Sequence, residues 1–474
     1  MTAAHKMERA LVSRTIDGVI HYVNKDRQAN LLHLIDVVEK IAGDMFSEKS
    51  YDGARNIVRD EDSKWMRYLY RLMDETDPHV LKMTALNLGF EAAYFGTKTI
   101  RENRRRYQCN IPWLILMDPT SACNMHCTGC WAAEYGHKLN LTYEELDRII
   151  TQGKELGIYF YMYTGGEPLM RKKDLIRLCE KHNDCAFHAF TNGTLIDDEF
   201  CSEMARVGNF SVSLSLEGYE EVNDSRRGSG SFSKAMEAMD LMKSHGLIFG
   251  TSICYTSKNV ETVTSDEFLD MIIEKGCRYT WYFHYMPVGN DAAVELLPTR
   301  DQREYMYRRV REIRGSDGGK PIFAMDFQND GEFVGGCIAG GRNYMHINAN
   351  GDAEPCVFIH YSGANIREVS LLDALRQPLF MAYRDRQPFN ENHLRPCPML
   401  ENPEILERML KETGAVSTDL KSPESGEHLC GKCREYAENW AESADRLWRE
   451  NGHHKEYYQN YKDVYKDSSA EKFH

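Results

Sequence analysis

A chain of 474 residues has room for two to four units at roughly 100–200 residues per domain. Its 42% hydrophobic and 27% charged residues suit a folded protein with a sizeable core, which excludes disorder as the main state. With 58 basic and 72 acidic residues the net charge is −14, which excludes a global positive field for nucleic acid. Apolar runs stay short of the ~18 residues expected of a spanning helix. The N-terminal segment MTAAHKMERALVSRTIDGV has neither the apolar run nor the small-residue cleavage site of a signal peptide, so the expected location is cytoplasmic.

Residues 1–107 are expected to form a helical domain. Apolar positions recur at helical spacing through Leu31, Leu32, Leu34, Ile35 and Val38, then through Trp65, Tyr68, Leu69 and Leu72. Asp77-Pro78 has the form of a helix start, with proline at the first position. The helix it opens carries Val80, Leu81, Met83, Leu86, Leu88, Phe90 and Phe95, then the basic residues Lys98, Arg101, Arg104, Arg105 and Arg106. Such a helix can lie on a lipid surface as a peripheral membrane contact. The expectation here is instead a helix packed on the catalytic domain with its basic end in solvent.

From residue 108 to 315 the pattern is α/β. Six β-rich runs, Trp113–Met117, Tyr159–Tyr163, Phe187–Phe190, Phe210–Leu216, Ile248–Ile253 and Thr280–Tyr285, alternate with amphipathic helices such as Tyr143–Leu156, Asp174–His182, Ser233–His245 and Asp266–Lys275. This predicts a parallel sheet with crossover helices, a partial or full (β/α) barrel, with ligands at the C-terminal ends of its strands. Residues 316–434 turn Gly- and Cys-rich, as a small metal-held domain would. Residues 435–474 are a polar, helical tail anchored by Trp440 and Trp448.

The 14 cysteines need a reading other than disulfides in a cytosolic chain. Cys109, Cys179, Cys185, Cys201, Cys254 and Cys277 are scattered and fit as small buried apolar residues. Cys123-Asn-Met-His-Cys127-Thr-Gly-Cys130 puts three soft ligands in one loop after the first strand. Three thiolates can hold three irons of a cubane and leave the fourth open to a cofactor. The alternative is structural zinc completed by His126 or His137, which is weakened by the absence of paired CxxC knuckles.

The CxxxCxxC loop, followed by aromatic Trp131, closely resembles the signature of radical S-adenosylmethionine (SAM) enzymes. Gly165-Gly166-Glu167-Pro168 resembles the family's GGEP motif, which binds the amino group of SAM, and Thr191-Asn192-Gly193 its TNG motif. Ser213-Leu-Ser215-Leu-Glu217-Gly218 is similar to the fourth-strand motif whose polar side chains face the cofactor. Asn223-Asp224-Ser225-Arg226-Arg227-Gly228 is similar to an HDxxRG turn with Asn in place of His, and Tyr285-Met286-Pro287-Val288-Gly289 to the segment that meets the adenine. The resemblance implies that Cys123, Cys127 and Cys130 hold a SAM-binding [4Fe–4S] cluster. It also implies that Gly165, Gly166, Glu167, Pro168, Thr191, Asn192, Ser213, Ser215 and Met286 contact SAM. Arg227 would pair with the SAM carboxylate and Trp131 would offer a face to the adenine.

Cys337-x13-Gly351-x4-Cys356 resembles the opening of the SPASM and twitch extensions that follow many radical SAM cores and hold auxiliary clusters. Cys397 and Cys430-Gly-Lys-Cys433 supply further candidate ligands. These five suffice for one four-cysteine auxiliary [4Fe–4S] cluster with a thiol to spare, short of the seven of a full two-cluster domain. A zinc ribbon is the alternative, and it lacks a second CxxC. The family implies an anaerobic oxidoreductase or maturase that cleaves SAM to a 5′-deoxyadenosyl radical, takes electrons from flavodoxin or ferredoxin, and abstracts hydrogen from a peptide or protein. Two alternatives stand beside it: a lipid- or small-molecule-modifying enzyme docked through its N-terminal helices, and a nonenzymatic iron–sulfur carrier. Neither a nucleic-acid partner nor a particular catalytic acid or base is expected from the motifs. Anaerobically reconstituted protein should contain about eight irons, and the Cys123→Ala/Cys127→Ala/Cys130→Ala variant about half as many; zinc without iron would overturn the cluster reading.

Overall fold

In the computed structural model the described residues are 3–23, 25–42, 48–132, 135–315 and 319–452; the remainder of the expected tail lies outside them. Before the first strand come α1 (Ala3–Val23), α2 (Arg27–Ala42), α3 (Glu48–Arg59), α4 (Lys64–Glu75) and α5 (Pro78–Thr84). Ser63 caps α4 by accepting from Met66 N–H. Asp77 caps α5 with Pro78 at its first position, as the sequence predicts. The helix continues through a π-helical stretch, Ala85–Gly96, into α6 (Thr97–Tyr107).

This continuous helix packs on the sheet region, not outward. Asn87 donates to the carbonyls of Asn183 and Cys185, and the Trp113 indole donates to Ala92 O. Buried Glu91 accepts from Arg9 at 2.9 Å and lies 2.8 Å from His5 Nε2. At Gly96 a Cβ would stand 2.5 Å from Gly157 O, so only glycine permits this backbone approach. The basic end departs from expectation at Arg104, whose guanidinium is pinned to the carbonyls of Ile111 and Arg342.

The alternating region builds β1 (Leu114–Met117), α7 (Tyr143–Leu156), β2 (Phe160–Tyr163), α8 (Lys172–Lys181), β3 (Ala186–Thr191), α9 (Asp198–Val207) and β4 (Phe210–Ser215). It continues through α10 (Glu220–Arg227), α11 (Ser231–Ser244), β5 (Phe249–Tyr255), α12 (Asp266–Glu274) and β6 (Tyr279–His284). A capping box between Thr142 and Glu145 starts α7, worth about 1 kcal/mol. The six expected strands all form, in parallel, within a residue or two of their expected ends.

The sheet extends beyond these six. Following α13 (Arg300–Arg314), β7 (Phe323–Asp326) pairs with β6; after the short α14 (Gly331–Val334), β8 (Tyr344–Ile347) runs parallel to β1 with β9 (Ala353–Glu354) outside it. The order is β7-β6-β5-β4-β3-β2-β1-β8-β9, an open barrel. Alternation along each strand sends Ile115, Met117, Tyr161, Tyr163, Val212 and Leu214 under the helices. Leu116, Met162, Phe190, Trp281 and Phe283 take the opposite, inner face. The C-terminal region adds β10 (Tyr361–Ser362), α15 (Leu371–Leu375), α16 (Pro378–Arg386), α17 (Pro403–Thr413), β11 (Val416–Ser417), α18 (Gly426–Gly431) and α19 (Arg434–Glu450). Trp440 of α19 is fully buried with its indole donating to Leu394 O; truncation to Ala there would cost about 3–5 kcal/mol.

The β1–β8 pairing buries a charged cluster. His346 lies 2.9 Å from Asp118 and 2.6 Å from Glu354, which also accepts from Tyr135 at 2.7 Å. Burial alone would strip the proton from His346; Asp118 and Glu354 outweigh it and lift the imidazole to about 10. The folded protein thus keeps on His346 a proton that the unfolded chain releases. The stabilisation is therefore complete below the unfolded imidazole value of about 6.5 and is lost as pH rises through about 10. His346→Gln should unfold in urea faster than the parent near pH 6, consistent with about 3–5 kcal/mol for breaking a buried pair. The gap should close toward about pH 10, and a gap independent of pH would contradict this account.

Candidate functional site

A cavity opens at the C-terminal ends of the strands, inside the barrel. Cys123, Cys127 and Cys130 line one side of it, together with Gly165, Gly166, Glu167, Thr191 and Asn192. The paired glycines are required by backbone contact. A Cβ on Gly165, where φ is +111°, would stand 2.4 Å from Thr120 O, and one on Gly166 would stand 2.2 Å from Ala122 O. Gly166 N–H donates to Thr120 O at 3.0 Å and Glu167 N–H to Ala122 O at 2.8 Å, so the turn after β2 seats the segment that enters Cys123. The Glu167 carboxylate accepts from Leu169 N–H, Thr191 Oγ1 and Asn192 N–H at 2.7–2.9 Å. Burial pushes its pKa up and these donors pull against that shift.

Two of the three sulfurs in this loop are met by backbone donors. The amide of Met125 hydrogen-bonds Cys123 and that of Ala132 hydrogen-bonds Cys130, while burial still pushes the Cys123 thiol up to about 11. A cation displacing those protons would find thiolates already met by N–H donors. The C-terminal cysteines repeat the pattern. Amides of Ala339 and Phe358 meet Cys337 and Cys356, and Met399 and Leu400 N–H point at Cys397 Sγ, each at 3.4 Å. Cys337, Cys356 and Cys397 are close enough to raise one another's pKa or that of Tyr383 beside them. Cys430 and Cys433 are buried on α18 and at the start of α19, and Cys430 adds to the burial that raises Cys433. Both cysteine groups suit a thiolate-bound iron–sulfur centre by the chemistry of their donors.

Residues 117–273 match the radical SAM superfamily, and residues 337–399 match an iron–sulfur cluster-binding domain, SPASM. The chain thus carries a radical SAM domain followed by a SPASM domain, the pairing found in radical SAM enzymes. Such an enzyme uses SAM and a [4Fe–4S] cluster, and a SPASM domain binds auxiliary iron–sulfur clusters. Among curated relatives, an Fe-coproporphyrin III synthase of Methanosarcina barkeri is 24% identical over 327 residues, 58% of this chain and 79% of the relative. A PqqA peptide cyclase of Granulibacter bethesdensis is 26% identical over 314 residues, 62% of this chain and 81% of the relative. In fold, the chain is similar to Streptococcus suis SuiB bound to its precursor peptide SuiA, with a TM-score of 0.52 at 18% identity over 65% of this chain and 72% of that one.

Several residues sit differently from their expected place around the radical SAM cavity. Ser215 and Met286 line it, but Ser213 lies one layer deeper on β4, engaged with His188 Nε2 at 2.9 Å. Pro168 is buried at the start of a 3₁₀ turn and supports Glu167 without reaching the cavity wall. Trp131 lines the cavity, and its ring edges meet His346, Phe358 and His360 of the SPASM side. Arg227 lines the cavity with Arg226, which sequence reasoning passed over, and both donate to Glu217 Oε1 at 2.6 Å. Cys254, placed among the inert thiols, is also on the wall. Its inward direction follows from the two-residue period it shares with Ser252.

No helix among the described residues is long and apolar enough to cross a membrane. The backbone seat at the GGEP turn makes a sharp forecast. Gly166→Ala should unseat the cysteine segment and abolish 5′-deoxyadenosine formation, whereas Gly89→Ala, with open space around its Cβ position, should leave it unchanged. Product analysis after SAM and dithionite addition distinguishes the two variants, and full activity in Gly166→Ala would contradict the close-approach argument.

Proposed function

We propose that Cys123, Cys127 and Cys130 hold the SAM-binding cluster, that Cys337, Cys356 and Cys397 with one of Cys430 and Cys433 hold an auxiliary cluster, and that the enzyme modifies an apolar side chain of a peptide or protein. Bound there, SAM and the cluster supply a carbon-centred radical able to take hydrogen from an unactivated carbon. The chain's own residues would orient the cofactor: the buried Glu167 carboxylate would serve its ammonium group, and the Tyr285–Gly289 segment its adenine. The Gly289 amide donates to buried Glu424 at 3.0 Å and its carbonyl accepts from Lys432 at 2.6 Å, so the Cys430–Cys433 turn braces this segment.

The observation that carries the substrate reading is the wall facing the cysteine loop. Leu114, Leu116, Phe190, Trp281, Phe283 and Phe327 make it apolar and aromatic. Among the described lining residues, the arginine and lysine cations are Arg226 and Arg227, both committed to Glu217. A coproporphyrin carries four carboxylates, and burying them without free cations would be costly. An aliphatic or aromatic side chain asks for no such partners. The peptide-cyclase relative points the same way. The lipid-docked alternative loses its support because the helix meant to dock is packed on the sheet region.

The test is anaerobic. Reconstituted enzyme given SAM and dithionite, or reduced flavodoxin or ferredoxin, should form 5′-deoxyadenosine, and the triple cysteine variant should not. Iron-coproporphyrin III titrated into the same protein should give no saturable Soret shift. Clusters that never cleave SAM would return the chain to the carrier reading; a saturable shift would replace the peptide by a tetrapyrrole.

A further inference from the structure

Tyr344 has two faces with different neighbours. It is the first residue of β8, its Cα paired with that of Leu114 on β1, so sheet register fixes where its ring stands. That ring lines the cavity with Leu114, Phe327 and Phe358. Its hydroxyl points away from the cavity. The O–H donates to Cys356 Sγ at 2.7 Å, and the oxygen accepts from Val357 N–H at 3.3 Å. With both roles filled and 4% of its surface exposed, the hydroxyl is unavailable to a substrate. One aromatic ring therefore separates the space where substrate binds from the sulfur of a candidate auxiliary ligand.

A hydrogen bond donated to a cluster thiolate stabilises the more negative, reduced state and raises the reduction potential, and the effect is stronger where water is excluded. We propose that Tyr344 is a positioning residue that joins the substrate cavity to the auxiliary centre, its ring forming the shared wall and its hydroxyl setting the potential of the cluster held by Cys356. This rests on the assignment of Cys356 as a ligand made above. It requires no oxidation of the tyrosine itself. A substrate pressed on the ring would lie one side chain from an electron acceptor whose potential that same side chain tunes.

The experiment uses the full chain carrying Cys123→Ala/Cys127→Ala/Cys130→Ala, so that the remaining cluster is the auxiliary one. Its midpoint potential, from an EPR-monitored redox titration, is compared with and without Tyr344→Phe, which keeps the ring and removes the hydroxyl. The expected result is a shift to more negative potential at unchanged iron content. Phe358→Leu alters the same wall with no hydroxyl lost and should leave the potential where it was. An unshifted potential in Tyr344→Phe, an equal shift in Phe358→Leu, or loss of iron in Tyr344→Phe would overturn the inference. Absence of iron from the background protein would instead overturn the ligand assignment, and this inference with it.

Discussion

The parallel pairing of β8 with β1 is the constraint on which the rest of the site depends. Leu114 through Met117 register residue for residue against Tyr344 through Ile347. That pairing carries the SPASM region onto the edge of the barrel and makes Ile338, Tyr344, Val357 and Phe358 one wall of the cavity that the three-cysteine loop faces. A flexible tether between two domains would leave the two cysteine groups free to drift apart. A shared sheet fixes their separation with backbone hydrogen bonds, whose geometry tolerates little change.

The same pairing has an electrostatic cost. Asp118, at the end of β1, and Glu354, on β9, would be two buried anions without a cation between them. His346 fills the gap, and His360 does the same for Asp419 at 2.6 Å, with Tyr135 stacked on the His360 ring. Buried ion clusters of this kind contribute little net stability compared with apolar packing. They are selective, however: a slip of β8 by one residue would turn His346 to the opposite face of the sheet and leave both carboxylates unpaired. The cluster therefore acts as a lock on register, and register is what positions Tyr344 and its neighbours.

Much of this was legible in the residues alone. The six parallel strands follow from apolar runs separated by amphipathic helices, and the glycines at 165 and 166 mark a close approach whose partners turn out to be the carbonyls at 120–122. What stayed hidden depends on long-range contacts. Strand β7 lies beyond residue 315, where the strand–helix alternation gives way to Gly- and Cys-rich sequence, β9 has only two residues, and β8 hides in a Gly- and Asn-rich stretch. Ser213 and Ser215 have the same parity on β4, so sequence places both on the inner face and cannot say which reaches the cavity. Arg226 was overlooked because a motif match assigns one arginine, whereas Glu217 has room to bind two with a single oxygen.

The division of labour within the cavity follows from where its charges lie. Glu167, Arg226, Arg227 and Glu217 sit with the cysteine loop, where a zwitterionic cofactor can be met by fixed, buried partners. The opposite wall is aromatic, and that asymmetry suits radical chemistry. A substrate radical on an apolar carbon has no charge for the protein to stabilise, so discrimination must come from shape and from the exclusion of competing hydrogen donors. Rings held edge to face, such as Phe190 against Phe283 at 5.6 Å, provide a stiff apolar surface. On the proposed reading, specificity in such a cavity would come from packing, and the charged groups would be left to hold the cofactor.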